Sequence, residues 1–400
     1  MLKRRHTTPN YVGAPVAIPD GVSNTIKVAR VWCIYFMMLV HVNPGFSPAS
    51  RTDLDSGDVG FLIRSVFSGL LGRASVPLLS VISGYLAVKM LSNRNVRDYL
   101  VARCKVLVMP MVCWNLAGLA VGFLAYKATG AMTDAYLSVE GRSPVRHAFS
   151  SVLAIDYQSY NIALNFLRDL FVVSLLAPAL LFGAKRFPRS STAAIFLIGG
   201  FFSFEPVLYR PPILMFFQLG LVAALHPKAF ELFTQRSTLT KVAFGLTVTV
   251  YLLQAYSILP QYLLSVGSFE WFEIFMRATT SLFTWHLCRR IAQSTNLVSD
   301  VFRRYSRDIY LAYLSHMLIF GLAWTALWKP LFGPETTNPA YLVFYLVMPL
   351  MVIAIAPAIR RGVSSLPVVF HYFVTGKAVT NHGTRPIRKT LSSWALAVRS

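Results

Sequence analysis

The sequence predicts an all-α protein whose helices form a polytopic transmembrane bundle. Hydrophobic residues make up 55% of the 400 residues and charged residues only 14%, and the mean hydropathy is +0.54. A soluble domain of this length carries more charge on its surface. Apolar runs of about 17–25 residues, the length that crosses the hydrocarbon core of a bilayer, recur along the chain.

We expect about ten of these runs to be membrane-spanning helices. They lie near residues 25–42, 73–90, 105–126, 163–183, 191–204, 211–226, 239–258, 271–288, 309–328 and 341–359. The fifth and sixth spans are short, and Pro206, Pro211 and Pro212 interrupt the sequence between them. Proline ends or kinks helices, so the limits of these two spans are the hardest to place.

The distribution of basic residues predicts the orientation of the bundle. The formal charge is +22, which in a soluble protein would indicate a nucleic-acid partner. Here most of the 38 Lys and Arg residues fall in alternate connecting segments and in the two terminal segments. The positive-inside rule therefore places both termini in the cytosol, and contact with membrane lipid, not nucleic acid, is expected. The predicted parts are a cytosolic segment over 1–24, a transmembrane domain over 25–361 and a basic cytosolic tail over 362–400.

The first span, ARVWCIYFMMLVHVNPG over residues 29–45, contains two ionisable side chains. On an α-helix, Arg30 and His41 share one face and stand about 16 Å apart along the axis. Arg30 is at the cytosolic end, where it either anchors the helix at the interface or binds a ligand. His41 either lies among the outer headgroups or faces the bundle interior, where ionisable groups usually mark function. Histidine is the side chain best suited to take a proton from a hydroxyl near neutral pH.

Four later stretches, together with the Arg-(ten residues)-His pattern, resemble the acyltransferase-3 family of bacterial membrane proteins. They are VPLLSVISGYLAV (76–88), YLVARCKVLVMPMVCWN (99–115), NFLRDLFVVSLLAPAL (165–180) and SRDIYLAYLSHMLIF (306–320). The resemblance implies transfer of an acyl group from acyl-CoA to a hydroxyl of a sugar or its lipid-linked precursor. Within the family, the first span and the compact length are most similar to the succinoglycan-type exopolysaccharide succinyltransferases.

The family pattern also implies roles for individual residues. His41 matches the first-span histidine and is assigned as the general base toward the acceptor hydroxyl. Arg30 matches the family arginine, and we expect it to bind CoA phosphates together with Arg103 and Lys105. By default, Arg103 and Lys105 are ordinary basic residues of a cytosolic loop.

A further set of residues is expected to line the substrate cavity. It consists of Ser83, Gly84, Tyr85, Arg168, Asp169, Tyr310 and His316. Ser83 and Gly84 fit helix packing equally well, since small residues let helices approach closely. Neighbouring positions on a helix diverge by about 100°, so Arg168 and Asp169 are expected to find partners elsewhere and not each other.

Helical spacing separates two other pairs. Tyr310 and His316 are six positions apart, on nearly opposite faces, so they are not expected to act on one atom. His316 fits a hydrogen-bonded bundle histidine as well as a cavity residue. Glu273 and Arg277 have the i,i+4 spacing of a helix ion pair, which favours a structural role.

No metal site and no permanently bound cofactor are expected, and acyl-CoA, carrying succinyl or acetyl, is the expected co-substrate. The acceptor is a glycan or lipid-linked oligosaccharide, and polysaccharide assembly proteins are candidate partners. The expected location is the inner membrane of a bacterium. The main alternative is a transporter or flippase for a small anion or lipid-linked sugar. A transporter has no need of a base at His41, and the sequence lacks the internal repeat common in transporters.

Overall fold

In the computed structural model, the bundle is built from helices that begin and end close to the predicted spans. The structure describes residues 18–43, 59–129, 144–155, 159–202, 204–235, 237–256, 258, 266–333, 336 and 338–376. In these ranges every regular element is a helix.

Seventeen α-helices are numbered in chain order. They are α1 (Asp20–Val40), α2 (Val59–Arg64), α3 (Arg73–Asn93), α4 (Val96–Arg103), α5 (Met109–Thr129), α6 (Pro144–Leu153), α7 (Asn165–Arg186), α8 (Pro188–Phe201), α9 (Pro211–Leu225), α10 (Pro227–Gln235), α11 (Ser237–Ala255), α12 (Val266–Gln293), α13 (Leu297–Tyr305), α14 (Ile309–Ala323), α15 (Lys329–Phe332), α16 (Ala340–Ser364) and α17 (Val368–Thr375). Three π-helical turns, Ser65–Gly72, Cys104–Val108 and Trp324–Trp328, join α2 to α3, α4 to α5 and α14 to α15.

Each of the ten predicted spans overlaps one of these helices, so the prediction of an all-α membrane protein is confirmed. Six continuous helices of the described chain are long and apolar enough to cross a bilayer. They are Val59–Asn93, Val96–Leu124, Ile162–Arg186, Thr238–Ala255, Ile309–Phe332 and Ala340–Ser364. A shorter apolar helix spans Pro211–Leu225. Ten crossings and cytosolic termini stay predictions.

Helix α1 lies in the centre of the bundle, packed against α3, α12, α14 and α16. Its apolar side chains are buried on several sides, and Ala29, Cys33 and Met38 have no exposed surface. A helix that is apolar around most of its circumference is stable only inside such a bundle. The central position of α1 therefore holds its backbone in place, whereas Arg30 is exposed and His41 is half-buried.

The closest helix pair is α3 against α9, because two glycines meet at their crossing. A Cβ added to Gly84 would press on the carbonyl of Phe217 and lie 3.2 Å from the Cα of Gly220. A Cβ on Gly220 would press on the carbonyl of Val81. Gly84 thus lies at a close helix crossing, as helix packing requires, and its place in the substrate cavity stays a prediction.

The segment that precedes α7 folds back into the bundle. Asn115 of α5 donates its side-chain N–H to the carbonyl of Val152 at 2.9 Å and accepts the backbone N–H of Asn161 at 3.1 Å. The carbonyl of Ala163 accepts the hydroxyl of Tyr313 in α14 at 2.6 Å. These bonds between buried groups fix the start of α7 against α5 and α14.

The last described helix packs on α5. The indole N–H of Trp114 donates to the carbonyl of Val374 at 3.1 Å, and Gly376 lies against the backbone of Val106. The predicted boundary at residue 361 falls inside α16, which continues to Ser364.

Candidate active site

Two histidines from distant parts of the chain meet beside the end of α1. His41 directly follows the last residue of α1, and its backbone N–H donates to the carbonyl of Met38 at 2.9 Å. His316 lies on α14, and its side chain is fully buried. The two ring centroids are 5.6 Å apart and the ring planes are inclined by 47°. Since His41 is only half-buried, it is the more accessible member of the pair.

The ring of His316 is held by its own helix. Its Nδ1 lies 2.6 Å from the carbonyl oxygen of Tyr313, and the Tyr313 ring packs on it with centroids 5.8 Å apart. The Tyr313 hydroxyl is bonded to Ala163 in turn. His316 is therefore placed by a bonded chain that runs from the start of α7 through α14.

Arg168 and Asp169 form an ion pair, so the expectation that they would not pair is wrong. Arg168 Nη1 donates to Asp169 Oδ1 at 2.8 Å, and Arg168 Nε donates to the carbonyl of Ala154 at 3.0 Å. The long arginine stem lets the guanidinium curl back to the neighbouring carboxylate although the two Cβ directions diverge. Asp169 also accepts the backbone N–H of Tyr209 at 3.3 Å, and the guanidinium lies 4.2 Å from the centroid of the Tyr209 ring.

Arg210 is a site residue that the sequence reasoning missed. It directly precedes α9 and is close enough to interact electrostatically with His41, Asp169 and Tyr313. Its guanidinium forms no hydrogen bond or ion pair with any described residue. In the sequence, Arg210 stands in an Arg-Pro-Pro stretch before an apolar run. This pattern is typical of an ordinary outer loop and gives no indication of a functional residue.

Near the middle of α1, about three turns before His41, two further arginines come together. Arg30 is exposed between the buried residues Ala29 and Val31, and its charge interacts with that of Arg103. Arg103 donates to the Tyr99 hydroxyl and to the carbonyl of Ser83, both at 3.4 Å. Neither guanidinium forms an ion pair with a carboxylate in the described part of the chain. An unneutralised arginine pair is a favourable site for a phosphate group.

Lys105 and Tyr310 contact a different surface. The Lys105 ammonium lies 5.9 Å from the centroid of the Tyr372 ring in α17. The Tyr310 hydroxyl donates to the carbonyl of Val106 at 2.6 Å, at the beginning of α14 and away from the histidine pair. The structure thus joins Ser83 and Arg103 to Arg30, and it separates Tyr310 from His316. Tyr85 is partly buried against the core beside the glycine crossing.

Glu273 and Arg277 are in contact within α12, as the helical spacing predicted. Arg73 of α3 joins the same carboxylate at 3.3 Å. This cluster connects α3 to α12 and is a structural feature of the helix pair.

Comparisons with known proteins identify the family of the chain. The family model described as an acyltransferase domain, that of the acyltransferase-3 family, matches residues 24–358. The chain is 25% identical over 358 residues to the succinoglycan biosynthesis protein ExoH of Rhizobium meliloti (strain 1021). That alignment covers 86% of this chain and 90% of the relative. No solved structure matches the chain. Since the family model spans most of the sequence, including Arg30, His41 and the His316 helix, the chain belongs to the acyltransferase-3 family.

Proposed function

We propose that this protein transfers an acyl group from acyl-CoA to a sugar hydroxyl of an exopolysaccharide or of its lipid-linked precursor. The observation that carries the proposal is the half-buried His41, which stands beside a second histidine at the end of a central helix. A partly accessible imidazole inside a helix bundle is suited to accept a proton from an alcohol.

The arginine pair near the middle of α1 supports CoA as the donor. Arg30 and Arg103 offer two guanidinium groups, and no carboxylate of the described chain neutralises them. Guanidinium groups bind phosphate through paired N–H donors, and CoA carries several phosphates. With the phosphates bound there, the pantetheine arm has to bridge the roughly 16 Å along α1 to His41.

The reaction at His41 is acyl transfer. The acceptor oxygen attacks the thioester carbonyl as its proton passes to the His41 ring. The new C–O bond forms, the C–S bond breaks, and the proton on the imidazolium is passed to the departing CoA thiolate. General-base assistance of this kind is worth about 10²–10⁴ in rate.

We propose succinyl rather than acetyl as the acyl group. A succinyl group ends in a carboxylate, whereas an acetyl group carries no charge. Arg210 interacts electrostatically with His41 and has no ion-pair partner among the described residues. Its positive charge is complementary to the distal carboxylate of a succinyl group placed at His41.

The acceptor and the cellular setting follow from the relative. The ExoH protein is named for succinoglycan biosynthesis. By similarity, we propose an exopolysaccharide acceptor at the inner membrane of a bacterium, with polysaccharide assembly proteins as partners.

Purified protein in lipid nanodiscs tests the reaction. Succinyl-CoA or acetyl-CoA is supplied with unacylated polysaccharide, and free CoA thiol and sugar ester are measured together. The proposal predicts equal amounts of thiol and ester, both dependent on the acceptor. Uptake of the anion or lipid-linked sugar into vesicles without thioester consumption would instead establish a transporter.

The same assay tests the acyl group. Arg210→Gln should lower kcat/KM for succinyl-CoA by about 10–100-fold, the effect of losing one charge-assisted hydrogen bond, and should change acetyl-CoA use little. Arg189→Gln, on the exposed start of α8, is the matched control. An equal loss with both donors would contradict carboxylate recognition by Arg210.

A further inference from the structure

The tautomer of His316 is set by its contact with Tyr313. Nδ1 of His316 lies 2.6 Å from the Tyr313 carbonyl oxygen, and a carbonyl oxygen only accepts hydrogen bonds. Nδ1 therefore carries the hydrogen. In the neutral ring, Nε2 then has a free lone pair and can only accept.

That lone pair has no partner in the described structure. Nε2 of His316 is buried and forms no hydrogen bond with a described residue, although the side chain has no exposed surface. An unsatisfied buried acceptor costs free energy, and in a native protein it usually has a functional reason.

Of the described rings in contact with His316, only one can supply a donor. Phe320, at a centroid distance of 5.4 Å, has no polar atom. The hydroxyl of Tyr313 is already bonded to Ala163. His41 carries a ring N–H, and its ring centroid lies 5.6 Å from that of His316, close enough for the N–H to donate to His316 Nε2 when the two nitrogens face each other. Hydrogen bonds of this kind are often long before substrate binds and shorten in the reactive complex.

We propose that His316 is a positioning residue that accepts a hydrogen bond from His41. The bond fixes the tautomer in which the other ring nitrogen of His41 is unprotonated and free to take the proton of the acceptor hydroxyl. The inference rests on the proposed function. Beside many catalytic histidines, a carboxylate accepts the ring N–H and orients the ring, and here His316 has that role. The carboxylate of Asp169 is already paired with Arg168.

Among the described residues, Arg210 is the charged group that acts on His41, from the segment before α9. The Arg168–Asp169 ion pair of α7 lies close to Arg210. From α14, the other titratable neighbour is Tyr313. Unlike a carboxylate, the neutral ring of His316 adds no charge to the site, and it still orients the ring of His41.

Two substitutions of His316 distinguish a role in positioning His41 from a role in filling space in the bundle. The Asn amide nitrogen superimposes on Nδ1 of histidine, so His316→Asn keeps the bond to the Tyr313 carbonyl but has no group at Nε2. The Gln amide reaches the Nε2 position, so His316→Gln restores an acceptor toward His41. We expect His316→Asn to lower kcat by about 10–100-fold with an unchanged KM for the acyl donor, and His316→Gln to recover most of that loss. If Gln is as inactive as Asn, or if the loss is in KM, the positioning role is wrong.

A measurement without turnover distinguishes this inference from the proposed function. The ¹⁵N resonances of the His41 ring report which nitrogen carries the hydrogen. In the wild-type protein we expect a single tautomer of His41, and in His316→Asn a mixture of both, with His316→Gln close to the wild type. A His41 tautomer that is the same in all three proteins overturns the inference, whether or not acyl transfer is detected. A tautomer change in a protein that transfers no acyl group would reject the proposed function alone.

Discussion

Arg30 lies at the middle of α1 and His41 directly follows its last residue, and each is accompanied there by a residue of its own kind. Arg103 lies beside Arg30, and His316 lies beside His41. One helix thus connects a site suited to phosphate with a site suited to proton transfer. The spacing of Arg30 and His41 along the helix, roughly 16 Å, sets the distance that the donor has to span.

Replacing His41 should abolish turnover without unfolding the protein. His41→Gln keeps a hydrogen-bonding side chain but accepts no proton, so kcat should fall by about 10²–10⁴ while KM for the acyl donor stays unchanged. His41→Ala should behave alike. Ester formation per amount of purified protein is the measurement, and His226→Gln, at the exposed end of α9, is the matched control. Wild-type turnover of His41→Gln at equal abundance would exclude His41 as the base.

Replacing Arg30 should weaken donor binding more than it slows turnover. Arg30→Lys keeps the charge but loses the forked N–H geometry, so KM for acyl-CoA should rise and activity should remain at saturating donor. Arg30→Ala should raise KM further. Initial rates at varied donor concentration measure both effects. Lys27→Ala removes an exposed charge one turn earlier on α1 and should change neither parameter. Unchanged kinetics of Arg30→Lys at low donor would leave Arg30 as an interfacial anchor.

Adding one methyl group at the glycine crossing should destabilise the bundle. Gly84→Ala forces a Cβ against the carbonyl of Phe217, and overpacking of this type costs about 1–3 kcal/mol. The thermal unfolding temperature in detergent should fall. Gly245→Ala on α11 has open space around the new methyl group and is the control, expected at or slightly above the wild-type temperature. Equal unfolding temperatures for the two variants would contradict the close approach of α3 and α9.

Reporter fusions test the predicted topology. A fusion after Arg361 should read cytosolic, because ten crossings return the chain to the side of its N-terminus. A fusion near Thr133, a position outside the described residues, should read external. Activity of both fusions in the same compartment would mean an even number of crossings between these positions, and the ten-span topology, which requires an odd number, would fail.

The sequence by itself determined the class of the protein and the layout of its first span. The length and apolar character of the runs require helices, since only a helix satisfies its own backbone in a bilayer. The helical repeat also places Arg30 and His41 on one face, and it pairs Glu273 with Arg277, because these relations depend on neighbours in one helix. The motifs that carry the family resemblance also consist of residues close together in the sequence, so they can be recognised without the structure.

The tertiary structure decided which of these residues meet. The pairing of His41 with His316, and of Arg30 with Arg103, depends on which helices are neighbours in the bundle, and no local pattern contains that information. Arg210 was missed because it follows no helical repeat, and it reaches the site only because α9 packs between α3 and α7. The Arg168–Asp169 ion pair was rejected on Cβ directions, yet the carbonyl of Ala154 and the ring of Tyr209 hold the guanidinium where it reaches its neighbour. Contacts between distant segments are set by packing, and packing is a property of the whole bundle.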